Sequence, residues 1–142
     1  MTQERLSEFF ESLSSDTSLE MFKEIYASKV HFKDPFHDVH DVADVYNIFQ
    51  QMYQRLDNPT FKMIEYLSNQ DVAYVRWKFI YQFKGESTLQ NFVGVSRIVY
   101  DENGKISTHI DYWDAGEHIY EKLPLLGSCI RWIKRKIQNG HT

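Results

Sequence analysis

At 142 residues, 42% hydrophobic and 15% aromatic, the chain is long enough for one sizeable core and too short for several domains. All 20 acids lie in residues 1–121 with 11 of the 16 Lys and Arg, a balance of −9, while residues 122–142 carry five bases and no acid; an acidic body excludes nucleic acid as the main partner, because phosphate binding needs a basic surface. A lone Cys129 excludes an intrachain disulfide, and with no secretory signal and no 18-residue apolar run the expected location is the cytoplasm.

Leu6, Phe9, Phe10 and Leu13 recur at helical spacing and predict a first helix over 3–13. Thr17-Ser18-Leu19-Glu20 has the form of a capping box, and Leu19, Phe22, Ile25 and Tyr26 then make the apolar stripe of a second helix. A short strand over 30–33 is closed by Asp34-Pro35, and residues 36–41 read as loop. Asp41 can cap a third helix striped by Val42, Val45, Ile48, Phe49, Met52 and Tyr53, which Asp57-Asn58-Pro59 ends. From Thr60 the period changes to two. Strands are predicted at about 60–68, 71–84, 87–100 and 105–113, with turns at 68–70, 84–86 and 101–104, so that they form an antiparallel meander. Gly94, inside the third of these strands, permits a bend or a close approach. A helix over 115–122, capped by Asp114, and a basic amphipathic run to about 138 complete the chain. Helices followed by a meander make an α+β plan in which the helices cover one face of a curved sheet and leave a pocket.

The last strand carries the most chemistry. Alternation places Ser107, His109, Asp111 and Trp113 on one face and Ile106, Thr108, Ile110 and Tyr112 on the other. An ionisable, aromatic face suits a pocket wall; equally, His109 and Asp111 can bond each other or nearby tyrosines as a satisfied core network. Asp34 has two readings as well. Asp-Pro is common turn punctuation, whose carboxylate bonds local backbone. In an aromatic pocket the same carboxylate would have its charged form disfavoured, which suits proton abstraction α to a carbonyl. His31, Asp34, His37, Asp38, His40 and Asp41 resemble a metal cluster, but His37-x-x-His40 lies in a loop that does not aim both imidazoles, so a solvated loop without metal is expected. There is no Gly-rich phosphate loop, no nucleophile elbow and no base evident for Cys129, and no cofactor is expected. The C-terminal run places positions 126, 130, 133 and 137 on one apolar stripe. It can lie on an anionic membrane, but the favoured reading packs Ile130, Trp132 and Ile133 on its own body or on a second subunit.

The order of elements, with Asp34-Pro35 and with Asp111-Tyr112-Trp113-Asp114 at a strand end, resembles the nuclear transport factor 2-like superfamily over roughly residues 3–120, and within it the SnoaL-like and ketosteroid-isomerase-like branch. The resemblance implies a single cone-shaped domain, with helices on the concave face of a curved antiparallel sheet enclosing a pocket, in a homodimer. It implies Asp34 as general base. The oxyanion-binding Tyr of the isomerases falls on Phe10 and their protonated Asp on Ser96, so the electrophilic pair of a steroid isomerase is missing. It sends Val75, Trp77 and Phe79 inward and Arg76 and Lys78 outward. The implied site has Asp34, Asp111 and His109 as catalytic groups, with Phe10, Trp77, Phe79, Phe92, Ser96 and Trp113 binding a hydrophobic small molecule. Two functions follow: a cofactor-independent acid–base enzyme (isomerase, cyclase or dehydratase) acting on a hydrophobic carbonyl compound or polycycle, or a non-catalytic ligand-binding or interaction module.

Overall fold

Short polar side chains start each helix of the N-terminal half. In the computed structural model, which describes residues 1–118 and 124–139, Thr2 accepts from the Arg5 N–H at α1 (Gln3–Glu11) and Ser18 from the Met21 N–H at α2 (Leu19–Ile25). Asp41 accepts from the Ala43 N–H at α3 (Val42–Arg55). Each cap satisfies a backbone donor that the first helical turn leaves without a partner. The first helix stops earlier than its apolar spacing predicts, because Ser12 Oγ donates back to the Phe9 carbonyl at its end. There is no loop after α2: Tyr26 is its C-cap, already extended at φ −102° and ψ 142°, and also the first residue of β1 (Tyr26–Lys33). Segment 36–41 contains a two-residue strand, β2 (Asp38–Val39), paired antiparallel with β1.

The meander consists of β3 (Leu56–Asn69), β4 (Val72–Phe83), β5 (Gln90–Tyr100) and β6 (Ile106–Tyr112). Its first strand begins directly after α3, ahead of Asn58-Pro59. Asn58 takes φ 48° at a register shift between Asp57 and Thr60, a left-handed conformation that Asn tolerates better than most residues. The six strands form one curved, unclosed sheet in the order β2-β1-β6-β5-β4-β3; β1 runs parallel to β6 and every other pairing is antiparallel.

Alternation along β4 decides where the core sits. Ala73, Val75, Trp77, Phe79 and Tyr81 are buried, while Tyr74 and Arg76 are exposed and Lys78 is half-buried. On β5, Phe92, Ser96 and Ile98 are buried. α1 packs on β3, α2 on β1 and α3, and α3 on β1 and β3. Aromatic edges join the helical layer to the sheet through Phe9–Phe22, Phe22–Phe49 and Phe49–Phe61, with ring centroids 5.3, 5.4 and 6.2 Å apart. Strict alternation fails along β6. A register shift between Val99 and Tyr100 lets Ile106 be fully buried, although His109 and Asp111, of opposite parity, are the residues that face the core.

β3 is the long free edge of the sheet. A second register shift, between Met63 and Glu65, interrupts its ladder, and the Met63 N–H donates to the Glu11 carboxylate of α1 at 3.1 Å.

The chain divides at Tyr112, and residues Trp113–Thr142 form a unit of their own. It contains α4 (Ala115–His118) and α5 (Pro124–Gln138). Asp114 caps α4 through the Glu117 N–H, and its other oxygen lies 3.8 Å from Lys134 Nζ. Residues 119–122 of the predicted helix, and side chain 126 of the apolar stripe, lie outside what is described. Along α5, Trp132, Ile133 and Ile137 are exposed, and Lys136 Nζ sits 5.3 Å from the Trp132 ring centroid. No described helix is long and apolar enough to cross a membrane.

Gly94 faces Trp77 across the β4–β5 ladder, and a Cβ at 94 would overlap the indole ring. The close approach is therefore occupied by a tryptophan rather than spent on a bend. Gly94→Ala should cost about 1–3 kcal/mol through overpacking, read as a lower urea midpoint together with a shifted Trp77 indole N–H resonance. An unchanged midpoint and resonance would contradict this packing.

Candidate functional site

Inside the Met1–Tyr112 unit lies a cavity of about 40 Å³. Leu6 and Phe10 of α1, Phe49 of α3, and Phe61 and Met63 of β3 close its apolar side. Val75, Trp77, Ser96, Ile98, His109 and Asp111 of β4, β5 and β6 form the sheet side. Among the described residues, Asp111 is the one carboxylate in this lining.

A chain of hydrogen bonds holds that carboxylate. Trp77 Nε1–H donates to Ser96 Oγ at 2.8 Å, and Ser96 Oγ donates in turn to Asp111 Oδ1. His109 Nε2 lies 2.7 Å from the same Oδ1, and His109 Nδ1 lies 2.8 Å from the Tyr26 hydroxyl. Counting donors assigns the protons. Asp111 accepts, so Nε2 carries a ring proton, and the opposite nitrogen is held by the Tyr26 hydroxyl. Tyr26, stacked on His109 at 5.9 Å, is fully buried, and burial pushes its phenol well above the ordinary value, with the Asp111 charge adding to the effect. Phe10 and Phe32 meet the imidazole edge-on at 5.7 and 4.8 Å. Among the described residues, no hydrogen bond falls on Asp111 Oδ2.

The residues expected from the sequence separate into groups. Phe10, Trp77, Ser96, His109 and Asp111 meet at the cavity. Phe79 and Phe92 are buried outside the lining, further along the same sheet face, where Phe79 packs on Phe61 at 4.6 Å and Phe92 on Trp77 at 6.0 Å. Trp113 opens the second unit. Asp34 does not line the cavity and does not join Asp111. Its Oδ1 accepts the N–H groups of Phe36 and His37 at 2.8 and 2.7 Å, and His37 Nδ1 lies 2.9 Å from that oxygen. The carboxylate is committed to the turn that Pro35 begins, which is the turn-forming alternative for Asp-Pro. Tyr26 went unforeseen as a site residue because its spacing matches the stripe of α2. The signal that could have found it is its β-favouring ring at the helix-to-strand junction.

A model of the SnoaL-like domain matches residues 6–109. No curated protein matches the sequence. Among solved structures, a hypothetical protein of ketosteroid isomerase-like fold from Catenulispora acidiphila, in complex with trimethylamine, superposes with a TM-score of 0.71 at 10% identity, covering 84% of this chain and 92% of its own. A candidate SnoaL-like polyketide cyclase from Jannaschia sp. CCS1 gives 0.66 at 8% identity, covering 77% and 82%. A candidate isomerase of the SnoaL-like family from Agrobacterium tumefaciens gives 0.63 at 11% identity, covering 78% and 92%. At these identities the likeness is one of fold.

The buried phenols set an alkaline limit to stability. Burial raises Tyr26 well above the ordinary 10.0 and Tyr53 to about 12. The unfolded chain releases these protons from pH 10.0 upward while the folded chain keeps them, so their contribution is whole below pH 10 and is lost as pH rises. Urea midpoints should be level to about pH 9 and fall above 10, with a shallower fall in Tyr26→Phe. A wild-type midpoint level to pH 12 would refute the burial of these groups.

Proposed function

We propose that this chain, which belongs to the SnoaL-like domain family, binds a small alkylated ammonium ion in the cavity of its first unit, with Asp111 facing the charge. The supporting observation is one carboxylate set in a lining of Phe10, Phe49, Phe61 and Trp77. Aromatic faces attract a cation through their quadrupoles, most strongly where water is excluded, and the carboxylate supplies the counter-charge. Size points the same way. The cavity's 40 Å³ is room for about three or four waters, which suits a cation of a few heavy atoms better than a polycycle. The trimethylamine complex of the Catenulispora relative is in keeping with this reading.

A second reading is acid–base catalysis by Asp111 on a small carbonyl compound, favoured by its Oδ2, which carries no hydrogen bond among the described residues. His109 and Ser96 would then hold Oδ1 and leave Oδ2 to take a proton α to the carbonyl. Asp34 has no part in either reading.

Titration of the protein with trimethylammonium chloride, followed at the Trp77 and His109 ring resonances, separates the two. Binding should be lost about 10–100-fold in Asp111→Asn and should exceed that of neutral tert-butanol. Equal affinity for the two compounds would overturn the cation reading. Asp111-dependent deuterium exchange at the α-carbon of a small ketone would establish the catalytic one.

We also propose a homodimer working in the cytoplasm. Leu67 pairs with Tyr74, and the register puts Val93 and Tyr112 on the same exposed sheet face, where, with Arg76 and Lys78 set among them, they offer apolar contacts to a second copy. An exposed Cys129 is in keeping with a reducing compartment. Tyr74→Glu should shift sedimentation from dimer to monomer; a wild-type monomer would remove the proposal.

A further inference from the structure

The segment over 36–41, expected from the sequence to be a solvated loop without metal, is ordered by the β1–β2 hairpin. Phe32 pairs with Val39 and Lys33 with Asp38, so His31 stands opposite His40 and diagonal to Asp38, all three on one face of the hairpin. His37 does not belong to this group, being held by Asp34. The His31 and His40 rings stack at 4.4 Å with 11° between planes. His31 Nε2 lies 2.7 Å from Asp38 Oδ1, and His40 Nε2 lies 3.8 Å from the same oxygen. One ligand atom from each residue falls within 4.8 Å of the other two.

We propose that His31, Asp38 and His40 bind a borderline divalent metal ion of the Zn²⁺ type, with water completing its coordination. Two imidazoles and a carboxylate are the donor set that such ions take when a position is left open. Metal–ligand bonds of 2.0–2.2 Å in a tetrahedron put ligand atoms about 3.3 Å apart. The trio therefore needs movements of about 1.5 Å or less. His40 supplies most of that movement, with a side chain 71% exposed and free to turn from the stack so that its nitrogen points at the ion. The His31–Asp38 hydrogen bond opens to admit the metal, and Lys33, opposite Asp38, is the nearby cation that the ion must outcompete. The chelate ties β2, a two-residue edge strand, to β1.

The test is calorimetric titration of the full chain with ZnCl₂ alone, near neutral pH in a non-chelating buffer, with ¹⁵N resonances of the imidazoles as a second readout. One ion per chain is expected, with shifts confined to the rings of His31 and His40. His40→Ala and Asp38→Asn, both at exposed positions, should each weaken binding by about tenfold or more, and His37→Ala should leave it unchanged. Absence of saturable binding overturns the proposal. So does binding that survives His40→Ala, or that is lost equally in His37→Ala.

Discussion

Everything at the centre of the first unit depends on satisfying one carboxylate beside aromatic rings. A charged group taken from water costs several kcal/mol unless hydrogen bonds replace its solvent. Asp111 obtains two donors on one oxygen, and each donor imposes a further condition. Ser96 can turn its proton to Asp111 because its own oxygen is occupied by the Trp77 indole N–H. The indole reaches Ser96 only because position 94 has no side chain. His109 is aimed at Asp111 because the Tyr26 hydroxyl holds its opposite nitrogen, and Tyr26 is placed where α2 becomes β1 without an intervening turn. The site is thus assembled from four strands.

The network also bears on the two positions that align with the electrophiles of ketosteroid isomerases. Neither Phe10 nor Ser96 offers an acidic proton to a ligand. Phe10 closes the cavity with an apolar edge, and Ser96 spends its proton on Asp111. The fold is shared with proteins at 8–11% identity, but chemistry resides in the groups a cavity presents, and this one presents a supported carboxylate among aromatic faces.

Much of this was legible from pattern alone. Asp41 caps its helix as its motif predicts, α2 is capped by Ser18, one residue beyond the Thr17 that the capping-box spacing marks, and the change of period near Thr60 marks the meander. Alternation brings His109 and Asp111 to one face and sends Arg76 to the other side from Trp77. What escaped were the places where local rules compete. Asp34 had a local use for its carboxylate, and three nearby donors outweighed a distant cavity. Ile106 lies beside a register shift that resets parity, which no count of alternating residues can reveal. Tyr26 satisfies helical spacing and strand propensity at once, and only the parallel pairing with Ile106 decides between them. That pairing joins residues 80 positions apart, beyond the reach of a local window.

The bond from Met63 to Glu11 bears on how the protein behaves in crowded solution. A fourteen-residue edge strand with unpaired amides is a template on which other strands can add. Here the template is broken in three ways: Pro59 has no N–H to offer, the ladder slips at two places, and one free amide is already claimed by a carboxylate from α1. A strand approaching this edge would find no run of evenly spaced donors and acceptors, and would have to displace a charged side chain to make one. The irregularities of β3 thus act as a barrier to fibrillar stacking.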